Sequence, residues 1–166
     1  MIHAARYCRF VSKSDIRDWP IVGPLATGSG TLYIERTSRK DALRMVHDIA
    51  DAMRAGDVVA VFPEGTTSDG QSLLPFHANL IQSAIAADAP VQPMSLKFVD
   101  ARTGELTLAP CYIGDDTLLA SIWRTLTAPA ITAVVHFGEP QTAEGRDRRQ
   151  WASDLRDAVG ALREAA

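Results

Sequence analysis

The stretch Val58-Val59-Ala60-Val61-Phe62-Pro63-Glu64-Gly65-Thr66-Thr67-Ser68 passes directly from an apolar run into a polar cluster. Gly56-Asp57 precedes the run and Pro63 ends it, which is typical of a buried strand over 58–62. Open α/β sheets bind ligands at the carboxyl ends of their strands, so the polar cluster predicts a binding site. Gly65 would let the backbone approach a ligand closely. The alternative is a polar turn after a core strand.

Strand and helix patterns alternate along the rest of the chain. We predict strands at 10–11, 31–34, 58–62, 91–98, 105–109 and 130–137, helices at 39–55, 76–87, 117–126 and 147–164, and a helical or turn-rich segment at 14–25. Such alternation indicates an α/β fold, a sandwich with a mixed, largely parallel sheet flanked by helices. We interpret residues 1–166 as a single domain.

Three helices carry the clearest patterns. The helix over 39–55 has apolar residues at helical spacing, Ser38 and Asp41 in a capping arrangement, and Gly56 as a stop. The final helix has a predicted buried stripe formed by Trp151, Leu155, Val159 and Leu162. In the helix near 117–126, Leu118, Leu119, Ile122 and Trp123 form an apolar face. That face predicts a core-facing helix, and a helix resting on a bilayer is the alternative.

Composition narrows the class of protein. The 166 residues are 46% hydrophobic and 22% charged, which is ordinary for a globular domain. The net charge is −3 and no run of lysine and arginine occurs, so nucleic acid is not a predicted partner. Two cysteines, Cys8 and Cys111, suggest neither a disulfide framework nor a metal site. No apolar stretch approaches the roughly 18 to 20 residues of a spanning helix.

Four blocks of the sequence resemble the glycerolipid acyltransferase family, which includes 1-acylglycerol-3-phosphate acyltransferase. Phe62-Pro63-Glu64-Gly65-Thr66 is similar to the family signature. Gly30-Thr31-Leu32-Tyr33-Ile34-Glu35-Arg36 resembles the block Gly-x-x-Phe-Ile-Asp-Arg, with tyrosine and glutamate as departures. Ala89-Pro90-Val91-Gln92-Pro93-Met94 resembles an apolar strand of the family, and Phe10-Val11-Ser12-Lys13, followed by Trp19-Pro20 and Gly23, also fits. The blocks span about residues 9–140 and imply an acyltransferase-like αβ-sandwich.

The motif that supplies the family's catalytic base is missing. The family uses a His-x4-Asp pair upstream of the lysine strand, in which histidine is the base and aspartate orients it. Here the residues five positions after His3, His47, His77 and His136 are Cys8, Ala52, Gln82 and Gln141. The chain thus resembles a partial acyltransferase domain, incomplete at the amino terminus, and we predict no catalytic residue and no activity for the chain alone.

The resemblance implies a substrate-binding set of Arg36, Glu64, Gly65, Thr66 and Lys13. Arg36 would grip a phosphate with its planar guanidinium, although in isolation it is typical of a surface arginine. Glu64 would accept hydrogen bonds from the acceptor's hydroxyl or from backbone amides that shape the loop. Gly65 and Thr66 would present backbone N–H groups to an anion. Lys13 would add positive potential, or simply be an exposed lysine at the start of a helix.

Two histidines are predicted to have structural roles instead. We interpret His77 as a packed or helix-start residue and His136 as a sheet residue. Neither is predicted to replace the missing base.

The implied reaction makes phosphatidic acid from 1-acylglycerol-3-phosphate, with acyl-CoA or acyl-carrier protein as co-substrate and no cofactor. The signature also resembles lyso-ornithine lipid acyltransferases, so the acceptor stays open. A further alternative is a non-catalytic remnant that binds lipid or a protein partner. The family implies a peripheral protein at a membrane surface, on the cytoplasmic side of the inner membrane, while this fragment itself could be soluble.

Overall fold

The computed structural model describes residues 7–35, 38–68, 72–114 and 116–164. The strands are β1 (Arg9–Lys13), β2 (Leu32–Ile34), β3 (Val59–Ala60), β4 (Met94–Asp100) and β5 (Ile131–Phe137). The helices are α1 (Val22–Gly28), α2 (Arg39–Arg54), α3 (Ala78–Ala87), α4 (Leu118–Thr127) and α5 (Arg148–Glu164), and a 3-10 helix spans Ser14–Asp18. Most predicted elements are found within a few residues of these bounds.

The strands pair in two ways. In the first sheet β1 is central and parallel to both neighbours, in the order β2-β1-β3, with Val11 opposite Leu32 and Phe10 opposite Ala60. In the second sheet β4 and β5 are antiparallel, with Met94 opposite Phe137. The predicted α/β fold with a parallel sheet flanked by helices is confirmed. The antiparallel strands β4 and β5 form a separate sheet instead of extending one mixed sheet.

The chain is divided into two compact units. The first comprises the described parts of Met1–Pro63, His77–Val91 and Gln141–Ala152, and it holds β1, β2, β3 and the helices α1 to α3. The second comprises the described parts of Glu64–Phe76, Gln92–Pro140 and Ser153–Ala166, and it holds β4, β5 and α4. Helix α5 begins in the first unit and continues in the second. The single domain over 1–166 stays a prediction.

The core of the first unit lies between the parallel sheet and α2. Ser38 Oγ accepts a hydrogen bond from Asp41 N at 3.1 Å, which confirms the predicted cap of α2 and fixes where the helix begins. From that start, helical spacing turns one apolar stripe toward the sheet. The buried cluster comprises Ile34, Met45, Val46, Ile49 and Leu80, with Val11, Leu32, Met53, Val59 and Val61 partly buried against it.

The strand predicted over 58–62 is shorter and less buried than expected. Strand pairing covers only Val59–Ala60, and Phe62 is 61% exposed. Successive strand residues point to opposite faces, so Val59 and Val61 meet the core while Phe62 does not. Phe62 instead stacks on Phe10, with ring centroids 6.3 Å apart. The continuous apolar run predicted a strand buried on both faces, but the face that carries Phe62 is exposed.

The prediction of a strand over 105–109 is wrong. After β4 the chain turns sharply, because Asp100 Oδ1 accepts a hydrogen bond from Arg102 N at 2.7 Å and Gly104 adopts a φ of +74°. Beyond the turn only a single bridge pairs Leu106 with Val99, and Leu106 is 74% exposed. The alternating apolar pattern Leu106-Thr107-Leu108 looks like a strand, but the segment leaves the sheet after one bridge.

The apolar face of helix α4 does not point into the core, contrary to the prediction. Leu119 and Trp123 are 79% and 69% exposed, whereas Ser121 on the other side is buried. The polar side is drawn inward by a hydrogen bond from Arg124 Nε to the carbonyl oxygen of Ala109 at 3.1 Å. The amphipathic pattern correctly predicted the helix but not which side it turns to the protein.

Helix α5 confirms the predicted stripe in its first half. Trp151 and Leu155 are buried, and Val159 and Leu162 are half-buried. Asp147 Oδ1 accepts hydrogen bonds from Arg149 N at 2.7 Å and Gln150 N at 3.1 Å, so it caps the helix start. These amides lower the pKa of Asp147, Gln150 having the larger effect.

Of the helices within the described ranges, none combines the length and the apolar character needed to cross a bilayer.

Candidate functional site

The carboxyl edge of the parallel sheet carries the first candidate residue. Lys13 ends β1, lies in register with Ile34 at the end of β2, and is exposed. Because β1, β2 and β3 run parallel, their carboxyl ends meet at the same edge of the sheet, which is where open α/β sheets place ligands. Lys13 also precedes the 3-10 helix, so both of its predicted roles, a helix-start lysine and a source of positive potential, fit its position.

Glu64 opens the loop that follows β3, and its carboxylate has a defined partner. Oε2 accepts a hydrogen bond from Leu74 N at 2.8 Å. The bond ties residue 64 to residue 74 and so holds together the two ends of the loop. Of the two roles predicted for Glu64, the structure shows the one in which backbone amides shape the loop. The charged acceptor makes this bond worth about 1.5–3 kcal/mol.

Gly65 and Thr66 continue the loop. Gly65 has a φ of +71°, in the left-handed region that is costly for residues with a Cβ, so glycine is needed for the turn itself. Thr66 is exposed, and its hydroxyl lies 3.5 Å from Thr67 O, at the limit of hydrogen bonding. The Thr66 side chain is therefore available to solvent beside the fixed carboxylate of Glu64.

Arg156 of α5 fixes the same loop, and sequence analysis missed it. Its Nη2 donates to Leu73 O at 2.7 Å, and its Nε lies 3.3 Å from Leu73 O and 3.2 Å from Leu74 O. Glu64 and Arg156 together therefore satisfy the amide and the carbonyl of Leu74. No local pattern marks Arg156, since it resembles a surface arginine beside the buried stripe and its partner lies 82 residues away along the chain.

Tyr33 stands where the family block has phenylalanine, and its additional hydroxyl forms hydrogen bonds. The Tyr33 oxygen lies 2.8 Å from Thr27 Oγ1 and donates to Gly23 O at 3.3 Å, and Arg17 packs 4.6 Å from the ring centroid. At Gly23 a Cβ would come within 2.0 Å of Arg17 O, so only glycine fits there. The tyrosine thus ties β2 to α1 near the carboxyl edge of the sheet.

The structure brings together only part of the predicted set. Glu64, Gly65 and Thr66 share one loop in the second unit, and Lys13 belongs to the first unit. Arg36, the predicted phosphate ligand, lies outside the described residues. The substrate-binding assignment of all five residues therefore stays a prediction.

The histidines take the structural places predicted for them. His77 is the exposed residue before α3, which confirms the helix-start position but not a packed one, and His136 lies in β5 opposite Ser95. His47 is exposed on α2. Within the described ranges, none of these three side chains is hydrogen-bonded to a carboxylate. His3 lies outside those ranges.

A small cavity adjoins the end of β2. Its volume is about 90 Å³, and its lining includes the carboxylates of Glu35, Asp41 and Asp48 with the guanidinium of Arg44. Acidic residues outnumber basic ones among the described residues that line the cavity.

The chain is similar in sequence to known acyltransferases. The family model described as "Acyltransferase" matches residues 1–97. The lyso-ornithine lipid O-acyltransferase of Pseudomonas aeruginosa is 36% identical over 150 residues, covering 90% of this chain and 57% of the relative. The 1-acyl-sn-glycerol-3-phosphate acyltransferase of Neisseria gonorrhoeae is 34% identical over 154 residues, covering 92% of this chain and 60% of the relative. The chain thus spans less than two thirds of the length of these relatives.

A solved structure shares the fold. The crystal structure of the 1-acyl-sn-glycerophosphate acyltransferase PlsC from Thermotoga maritima has a TM-score of 0.56 and 17% sequence identity, and the match covers 95% of this chain and 57% of that one. At this identity the likeness speaks to fold alone. Because the family model covers more than half of the sequence, and the relatives most of it, the chain belongs to the acyltransferase family.

Proposed function

We propose that the protein transfers a fatty acyl group from acyl-CoA or acyl-carrier protein to 1-acylglycerol-3-phosphate, giving phosphatidic acid. The observation that carries the proposal is the Glu64-Gly65-Thr66 loop, which follows a parallel strand in an acyltransferase-family chain and is held from both sides by Glu64 and Arg156. A loop fixed in this way can hold an acceptor without reorganising when the acceptor binds.

The reaction divides into binding and proton transfer. The acceptor oxygen attacks the thioester carbonyl carbon, the C–S bond breaks, and the proton of the hydroxyl passes through a base to the departing thiolate. Arg36 would bind the acceptor phosphate, Lys13 would add positive potential, and backbone N–H groups of Gly65 and Thr66 would face an anion. This sequence supplies no His-x4-Asp pair for the proton transfer. We therefore propose that the chain alone is inactive.

A lyso-ornithine lipid is the second candidate acceptor. Relatives from Pseudomonas aeruginosa and Brucella abortus carry that activity in their names. An ornithine headgroup offers a carboxylate in place of a phosphate, and a guanidinium binds either group with the same bidentate geometry. Arg36 would then have a carboxylate as its partner.

A third candidate is a non-catalytic role in binding lipid or a protein partner, favoured by the missing base. For either lysolipid acceptor, the protein would have to reach a lipid that lies in a membrane. We propose a peripheral position on the cytoplasmic side of the inner membrane.

The test compares acceptors and variants. The protein as the cell produces it is assayed with acyl-CoA and with acyl-carrier protein, against both acceptors. We expect Arg36→Ala to raise the KM for the true acceptor about tenfold or more, and Arg36→Lys to restore it only in part because lysine lacks the bidentate fork. Arg102→Ala, which alters an exposed arginine, is the matched control. An Arg36→Ala variant that changes the KM of the acyl donor but not of either acceptor would refute the assignment.

A further inference from the structure

Helix α4 presents a continuous apolar stripe to solvent. Leu119, Ile122, Trp123 and Leu126 are spaced three or four residues apart, so they lie along one face of the helix. Their exposed fractions are 79%, 41%, 69% and 75%. A surface helix in a globular protein ordinarily turns such a stripe toward the core. Here the stripe faces outward.

The polar side of α4 is hydrogen-bonded to neighbouring residues of the protein. Arg124 Nη1 and Nη2 donate to the two carboxylate oxygens of Asp116 at 3.2 and 2.6 Å, and Nη2 also donates to Cys111 O. Arg124 Nε donates to Ala109 O at 3.1 Å. These contacts hold the helix by its hydrophilic side, so the orientation of the stripe is fixed by specific bonds and charges.

We propose that this stripe inserts into the lipid–water interface of a bilayer. The inference rests on the proposed function, since a lysolipid acceptor has to be taken from a membrane. A helix of 10 residues is about 15 Å long, too short to span a bilayer but long enough to lie along its surface. Trp123 in the middle of the stripe suits the interface, where indole rings concentrate.

The size of the stripe favours lipid over a second copy of this chain. The four side chains present on the order of 500 Å², whereas a stable protein interface buries about 800 Å² per partner. The stripe also carries no charge, and the one charge on α4, Arg124, is paired with Asp116. An uncharged apolar strip matches the acyl region of a bilayer.

The charge distribution also distinguishes two modes of membrane binding. Interfacial helices commonly add basic residues that attract anionic lipid, and such binding weakens with salt. Because the stripe of α4 is neutral, binding should depend on apolar insertion. We expect flotation with phosphatidylcholine vesicles to change less than about twofold between low and high salt.

The experiment is co-flotation of the 166-residue chain with phosphatidylcholine vesicles. The double variant Leu119→Gln/Leu126→Gln should lower the vesicle partition coefficient at least about tenfold. The matched control Leu25→Gln/Leu43→Gln changes two other exposed leucines, 68% and 65% exposed, and should float like the wild type. All four positions are exposed, so the variants should fold, which circular dichroism would verify.

A second measurement does not depend on these variants. Vesicles with brominated acyl chains should quench tryptophan fluorescence of the wild type, and Trp123→Phe should remove most of that quenching, because Trp123 is the most exposed of the three tryptophans, Trp151 being fully buried and Trp19 half-buried. Wild-type chain that does not float, or quenching that survives Trp123→Phe, would overturn the proposal. Loss of a dimer in the α4 variant without lipid would assign the stripe to a second copy instead.

The proposed function can fail separately. Flotation needs no acyl transfer. If the chain floats through α4 but the protein is inactive on both lysolipids, the membrane-binding role of α4 is supported and the proposed function is refuted. If the protein acylates detergent-dispersed acceptor and its α4 variant floats like the wild type, the proposed function is supported and the membrane-binding role of α4 is refuted.

Discussion

Glu64 has a backbone partner, and that partner defines what its substitution should do. The carboxylate accepts the Leu74 N–H at 2.8 Å, so Glu64→Ala removes a charged acceptor and leaves the amide without this bond. We expect the free energy of unfolding to fall by about 1.5–3 kcal/mol, and Glu64→Gln, which keeps an acceptor oxygen, to recover part of it. Faster hydrogen exchange at the Leu74 amide in the alanine variant would locate the loss.

The control for this prediction is Glu105→Ala. Glu105 is an exposed carboxylate of the same unit, and its loss should change stability by less than about 0.5 kcal/mol. If Glu64→Ala and Glu105→Ala were equally mild, the Leu74 bond would not hold the loop.

Tyr33 offers a second prediction at single-residue scale. Tyr33→Phe removes only the hydroxyl, which lies 2.8 Å from Thr27 Oγ1 and 3.3 Å from Gly23 O. The ring keeps its packing and its contact with Arg17, so we expect a loss of about 0.5–1.5 kcal/mol in urea unfolding. Tyr112→Phe, on a half-exposed tyrosine of the other unit, is the matched control. A stabilised Tyr33→Phe protein would contradict the bonding described.

At the scale of helices and strands, the sequence predicted where elements lie better than which way they face. Caps and periodicity located α2, because the Ser38 cap and the apolar stripe are local features. Exposure depends on neighbours elsewhere in the chain, so Phe62 after β3 and the stripe on α4 were both expected inside and both lie outside. The segment 105–109 failed for a related reason, since strand pairing needs a partner and Leu106 has one only through a single bridge.

The attachment of α4 should depend on pH through Asp116. The hydrogen bond from Arg124 lowers the pKa of Asp116 below its ordinary 3.8, with a further contribution from Ile113 N. A depressed carboxyl pKa gives stability that is present above pH 3.8 and is lost as the pH falls through the lower folded value. In thermal melts, the Tm gap between wild type and Asp116→Asn should therefore be largest near neutral pH and close below about pH 4.

Asp18→Asn serves as the matched control for that measurement. Asp18 is an exposed carboxylate of the first unit, so its Tm gap should stay small across the whole range. A gap for Asp116→Asn that widened on acidification would show that the Arg124 pair does not govern the attachment.

Across the molecule, the sequence predicted the family and the place of the signature loop after β3 better than the contacts that hold that loop. The signature block placed Glu64, Gly65 and Thr66 after a parallel strand, because motif and strand are contiguous. The support from Arg156 could not be predicted, since it depends on how a distant helix lies against Leu73 and Leu74. Long-range contacts of this kind leave no periodic trace in the sequence.

We expect the 166-residue chain to be a poor catalyst of acyl transfer. Attack on a thioester needs a base for the acceptor hydroxyl, and no histidine here is followed by an aspartate at the family spacing. Loss of general-base catalysis slows reactions about 10² to 10⁴-fold, so the 166-residue chain should acylate 1-acylglycerol-3-phosphate at least about a hundredfold more slowly than the Neisseria gonorrhoeae relative named for that acceptor. Product formation measured with labelled acyl donor, at matched protein concentrations, tests this. Turnover comparable to the relative's would mean that another residue acts as the base, and His77, exposed after the signature loop at the start of α3, would be the first to replace by alanine, with His47→Ala as its exposed control.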